Sequence, residues 1–131
     1  FARIGARASV AELVDRAIAR VPAAFPDDAR VRARLYTAMG ASLTAQGRLA
    51  RAAGVLDSAR ALARAGYGPR TDPFVEASVN AANAALHRSP PRVADAYARD
   101  ALAALAGREA DAPDLHARAL LALAGVRLLQ G

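Results

Sequence analysis

The side chains able to do chemistry are few and dispersed. The chain has two histidines, His87 and His116, and no cysteine. Two imidazoles without thiolates do not close a zinc site, so no metal and no cofactor is expected. Carboxylates stand close together at Asp27-Asp28 and at Asp95/Asp100. The first pair reads as a helix start, where negative charge is favoured. The second pair is spaced so that its members align poorly on one helix face, and neither reads as an acid/base pair. Ser42, Ser58 and Ser78 have no histidine at a spacing that marks a nucleophile and its base. His87 reads as a solvent-facing residue near a helix C-terminus, and His116 as a first-turn residue. No catalytic constellation results, and the expectation is that the chain is not an enzyme. Asn80 and Asn83 stand out for another reason. Asn is a poor helix-interior residue, yet these two lie about one turn apart on one helix face. Each amide offers a donor and an acceptor, which either grip a peptide main chain or bond neighbouring side chains and water.

The elements that must position these groups are helices. Of 131 residues, 54% are hydrophobic, and Ala alone supplies 38. Ala is the best helix former but buries little area, so helices must approach closely, with Leu and Val providing most of the burial. No segment alternates in the manner of a strand, and the fold class is all-α. The longest apolar run, Ala119 to Val126, is far too short to span a bilayer. The chain opens on Phe1 and has no signal-peptide pattern, so it reads as a piece of a longer protein. The formal net charge is +6, and all 18 basic residues are Arg. They are scattered among Asp and Glu with no block of like charge, which argues against nucleic-acid binding.

Six helices are expected, at about 9–22, 28–46, 49–64, 73–88, 92–106 and 113–130. Ser9 with Glu12 has the form of a capping box, and Val10, Leu13, Val14, Ala17, Ile18 and Val21 make one apolar stripe. Pro22 and Pro26 bracket its end. Asp27 or Asp28 caps the second helix, whose stripe is Val31, Leu35, Met39 and Leu43, and Gly47 ends it. Thr71 or Asp72 caps the fourth, with Pro73 suited to the first turn. Short links within pairs force antiparallel neighbours. Gly47, Ser89 and Gly131 recur at a step of about 42 residues, as do Ala17, Ala59 and Ala101, the mark of a helical repeat.

The second and third helices resemble a tetratricopeptide repeat through Tyr36, Met39-Gly40, Leu43, Ala52, Leu56 and Ala59. Gly40 and Ala52 are expected to face each other where the helices cross closest. The long period is similar to the extended class of this family found in kinesin light chains and bacterial signalling proteins. Gly68-Pro-Arg-Thr-Asp-Pro73 is similar to the linker of that class but lacks its His. Ser9 to Ala17 resembles the helix that precedes such repeats in bacterial serine/threonine kinases. In the fifth helix Ala98 replaces an expected aromatic. The resemblance implies a right-handed superhelical solenoid of antiparallel pairs in one domain over 1–131.

The resemblance also implies a protein-interaction module, whose concave groove is lined by the first helix of each pair. Its register puts Arg34, Thr37, Ala41 and Thr44 on the second helix in that groove. It puts Glu76, Val79, Asn80, Asn83 and His87 there on the fourth, and Arg118, Leu121 and Gly125 on the sixth. The implied partner is a protein or a short peptide, extended or helical, with Val79, Leu86 and Leu121 adding apolar contact. Arg34 and Arg118 are the only basic residues in the set, so a carboxylate clamp is not implied. The implied setting is the scaffold or sensor part of a bacterial signalling protein, such as one associated with a serine/threonine kinase. The alternative is an oligomerisation or effector domain of a transcriptional regulator. Tyr36, Tyr67 and Tyr97 read as packing or rim residues. Arg48, Arg51, Arg60 and Arg64 read as a solvated outer face. The sixth helix, with Leu120, Leu121, Leu123, Leu128 and Leu129, carries more apolar surface than one neighbour covers. The expectation is a truncated array or a swapped or homodimeric contact over that face.

Overall fold

The computed structural model describes the backbone of residues 2–130 and the side chains of residues 10–130. It contains six α-helices and, among the described residues, no strand. They are α1 (Ala2–Ala24), α2 (Ala29–Ala45), α3 (Leu49–Gly66), α4 (Asp72–Ala85), α5 (Pro91–Leu105) and α6 (Pro113–Gln130). A short 3₁₀ turn, Glu109–Asp111, lies inside the polar stretch before α6. No helix among the described residues is long and apolar enough to cross a membrane.

Capping decides several of the boundaries. The Asp28 carboxylate accepts from the Val31 N–H at 3.1 Å and starts α2. Gly47 closes α2 with φ of +75°, a left-handed conformation that costs Gly nothing. Its N–H donates to the Thr44 carbonyl, and that of Arg48 to the Leu43 carbonyl. Pro73 and Pro91 occupy the first turns of α4 and α5, where a missing N–H leaves no bond unmade.

Three boundaries differ from expectation. The first helix begins at Ala2, so Ser9 lies within it and forms no capping box at its start. Residues 2–8 hold three Ala and two Arg, and their helix propensity outweighs the local cap signal. The helix also runs on to Ala24, past the expected end at Pro22. The fourth helix stops at Ala85 instead of running to Arg88. The Ser89 N–H closes onto the Ala85 carbonyl at 2.9 Å, and Pro90 then holds Ser89 away from the helical region.

Each helix packs on the next, and α4 also touches both α2 and α6. The three even-numbered helices therefore form a contiguous row, and they start at steps of about 42 residues. The fold is thus repeat-like, although Gly131, the third member of the Gly/Ser series, lies outside the described residues. The crossing of α2 and α3 is close because Gly40 has no side chain. A Cβ there would lie 2.4 Å from Leu56 Cγ. The residue facing Gly40 is thus Leu56, one turn on from the expected Ala52, which is buried nearby. Among the described residues Leu43, Leu56, Leu105, Val75, Val79 and Val126 are the largest apolar side chains fully withdrawn from solvent, and buried Ala fills space between them.

The arginines of α3 do not form a uniform solvated face. Arg60 reaches across α4 to α5. Its Nε–H donates to Ser78 Oγ at 3.1 Å, and Nη2 lies 2.6 Å from Asp100 Oδ2. Its guanidinium stands 4.6 Å from the centre of the Tyr97 ring. Arg48, just before α3, donates to both carboxylate oxygens of Asp15 on α1, at 2.8 and 2.9 Å. Arg51 and Arg64 do remain exposed. Asp95 and Asp100 are occupied as partners of Arg99 and Arg60.

Candidate groove between the second, fourth and sixth helices

The row of α2, α4 and α6 borders an open groove of about 540 Å³. Arg34, Thr37, Ala38 and Ala41 supply the α2 wall. Asp72, Pro73, Glu76 and Asn80 come from α4 between them, and Leu115 and Arg118 form the α6 wall. Helical spacing explains this placement. Arg34, Ala38 and Ala41 rise along one face at steps of four and three residues, and Asp72, Glu76 and Asn80 at steps of four.

Six of the positions expected on the groove are brought together here: Arg34, Thr37, Ala41, Glu76, Asn80 and Arg118. Four others line it that sequence reasoning did not name: Ala38, Asp72, Pro73 and Leu115. Each is one turn from a named residue, so the helical row that predicts Arg34, Glu76 and Arg118 contains the signal for them as well.

Several expected positions lie elsewhere. Val79 is 1% exposed and packs in the core with Phe74, Val75, Ala101 and Leu105. It is a core residue and offers no contact to a partner. A single residue step turns a helix by about 100°, which separates Val79 from Asn80. His87 is exposed in the turn after α4 ends, not on the helix. Asn83 and Leu121 are exposed but are not part of the groove lining, and Thr44 and Gly125 are also outside it.

The two threonines of α2 spend their donors within their own helix. Thr37 Oγ1 donates to the Ala33 carbonyl at 2.8 Å, and Thr44 Oγ1 to the Gly40 carbonyl at 2.9 Å. Thr37 is thus a wall of the groove rather than a free hydrogen-bonding group. Asp72 accepts from Arg108 Nη1 at 2.7 Å, which ties down its charge. Arg34, Glu76 and Arg118 are exposed and enter no ion pair among the described residues. The groove therefore presents one cation on each outer wall, a free carboxylate between them, and the half-buried Asn80 amide. Such a set can donate hydrogen bonds to, and accept them from, polar and charged groups.

No group of three potential metal ligands occurs among the described residues. One carboxyl elsewhere has a shifted acidity. Its own backbone N–H and that of Gly107 hold Glu109 below the usual carboxylate range, with His116 and Arg70 adding to the effect. That residue belongs to the turn before α6. No family model matches the chain, and none of the curated proteins or solved structures compared with it is significantly similar.

Proposed function

We propose that this chain is a protein-interaction module of the tetratricopeptide kind, a solenoid of antiparallel helix pairs that takes a peptide segment of a partner protein into the groove between α2, α4 and α6. The observation that carries the reading is the groove itself. It crosses three helices that recur at one step, and it holds Arg34, Glu76 and Arg118 unpaired beside Asn80. The fold does not use these charges, and an extended or helical peptide offers groups that would. The close crossing at Gly40 and Leu56 supports the same reading, because helix pairs of that family pack over small residues. In this reading the module serves as scaffold or sensor in signalling.

The test is a differential capture. The parent chain, an Arg34→Ala/Asn80→Ala/Arg118→Ala variant and an outer-face Arg51→Ala/Arg64→Ala variant are immobilised and compared in one lysate. Circular dichroism first establishes that all three are folded. The reading expects a protein retained by the parent and the outer-face variant and lost with the groove variant. Equal retention by all three would remove the groove from the proposal.

A further inference from the structure

Resting on the groove's proposed role in taking a peptide, we infer that its ligand is an extended segment with an acidic, a basic and an acidic side chain at steps of three residues.

The three unpaired charges of the groove occupy one repeat position. Glu76 lies 42 residues after Arg34, and Arg118 lies 42 residues after Glu76. Each stands in the second turn of its helix, and all three border the same groove. Since α4 touches both α2 and α6, Glu76 lies between the two arginines. The charges therefore form a row across the helices, positive, negative, positive. The lining on either side of this row adds no free charge. Pro73 and Leu115 precede it by one turn, and Ala38 and Asn80 follow it by one turn. The charge of Asp72, next to Pro73, is taken up by Arg108.

The spacing of the row selects the backbone of the ligand. Packed helices have axes about 8–10 Å apart, and successive charges in the row are separated by about that step. A polyproline II chain has three residues per turn and rises about 3.1 Å per residue. Its side chains at i, i+3 and i+6 thus face one way at intervals of about 9 Å. A β-strand returns side chains to one face about every 7 Å, short of the step. An α-helix meets the step only at every second turn and needs about 15 residues to present three charges.

In the extended placement one ligand carboxylate meets Arg34, a ligand ammonium meets Glu76, and a second carboxylate meets Arg118. Each guanidinium offers a planar fork that matches a carboxylate. Asn80, half-buried one turn beyond Glu76, can donate to and accept from the ligand main chain as it passes over α4. A ligand with the opposite order of charge sets like charges together at all three points.

The probes are three end-blocked peptides, titrated into the isotope-labelled chain and followed by backbone amide NMR shifts. The first is Asp-Pro-Pro-Lys-Pro-Pro-Asp. The second, Lys-Pro-Pro-Asp-Pro-Pro-Lys, inverts its charges. The third, Asp-Pro-Pro-Asp-Pro-Pro-Lys, has the composition of the first in another order. The first should bind about tenfold more tightly than either of the others, the worth of a few exposed ion pairs. Its shifts should centre on the groove-facing turns of α2, α4 and α6, and its advantage should shrink with added salt. In an Arg34→Glu/Glu76→Arg/Arg118→Glu variant the second peptide should become the tightest. All three positions are exposed. Should that variant lower the melting temperature, Glu76→Gln repeats the test by narrowing the difference between the first and third peptides. Equal affinity of the three peptides, shifts that lie off the groove, no inversion in the variant, or no binding up to about 1 mM would each overturn the inference. A partner that is still lost with the groove variant in the capture experiment would then keep the groove and remove only its charge order. Equal retention in that experiment would remove both.

Discussion

Replacing Gly40 by Ala adds one methyl group where two helices touch. The new Cβ would stand 2.4 Å from both Cγ and Cδ2 of Leu56 and 3.1 Å from Cδ1. Carbon atoms in favourable contact are about 3.5–4.0 Å apart, so the gap is short by more than an ångström. Leu56 is fully buried, and the clash reaches its branch point, so a rotation of its tip does not relieve it. Either the leucine leaves its rotamer or α2 and α3 separate. Overpacking of this kind costs about 1–3 kcal/mol. The gain in helix propensity from Gly to Ala, about 0.5–1 kcal/mol, opposes it. With the clash at the upper end of its range, the net loss is about 2 kcal/mol. For a chain of this size that lowers the melting temperature by about 8 °C. Gly54→Ala is the control. Gly54 lies in α3 with nothing within 4 Å of a built Cβ, so propensity alone acts and the melting temperature should rise. Thermal and urea unfolding followed by circular dichroism measure both. Leu56→Ala made in the Gly40→Ala background should cost less than in the parent, because the added methyl then fills part of the cavity. A Gly40→Ala protein that melts at or above the parent temperature would refute the close crossing and the register built on it.

Asp28→Ala removes the side-chain cap of α2 and should cost about 1 kcal/mol, read from urea unfolding. Arg60→Ala should destabilise by about 1–2 kcal/mol, because it loses the Ser78 hydrogen bond and the Tyr97 contact together with the ion pair. Asp100→Ala, which loses only the half-exposed end of that pair, should cost less than about 1 kcal/mol. If the two variants cost the same, Arg60 is an ordinary surface ion pair. Glu109 should titrate below the ordinary glutamate value in a carbon-detected NMR titration. A carboxyl with a lowered folded-state pKa adds stability above its unfolded value and loses it as pH falls through the folded one. The Gly107 turn should therefore loosen only on the acid side, and Glu109→Gln should remove that response.

Local features of the sequence carry local structure here. Asp28, Gly47 and Pro73 act within a turn of where they stand, and each sits at the boundary its chemistry requires. The repeat of Gly40, Ala82 and Ala124 is also visible, because close helix packing leaves a mark of small residues. Where the reading fails, a competing or non-local term decides. Ser9 and Glu12 have the form of a cap, but the residues before them are good helix formers and the helix runs through. Val79 and Asn80 are adjacent, and assigning both to one face ignores the 100° between them. Arg60 reads as a surface charge because its partners Ser78 and Asp100 are 18 and 40 residues away. No spacing rule reaches that far. The groove is legible as a row of helix positions, but which of its charges remain unpaired depends on Arg108 meeting Asp72 across 36 residues.

The central claim is that the groove between α2, α4 and α6 holds a partner. A photo-crosslinking amino acid at Ala38, exposed on the α2 wall, samples that groove, and one at Ala61, exposed on α3 outside it, serves as the reference. Crosslinking in cells that express the chain at low level should give a discrete heavier species from Ala38 and none of that mass from Ala61. The species should disappear when Arg34→Ala and Arg118→Ala are added to the Ala38 probe. A product that forms equally from both positions, or that persists from Ala38 without the two arginines, would contradict the claim.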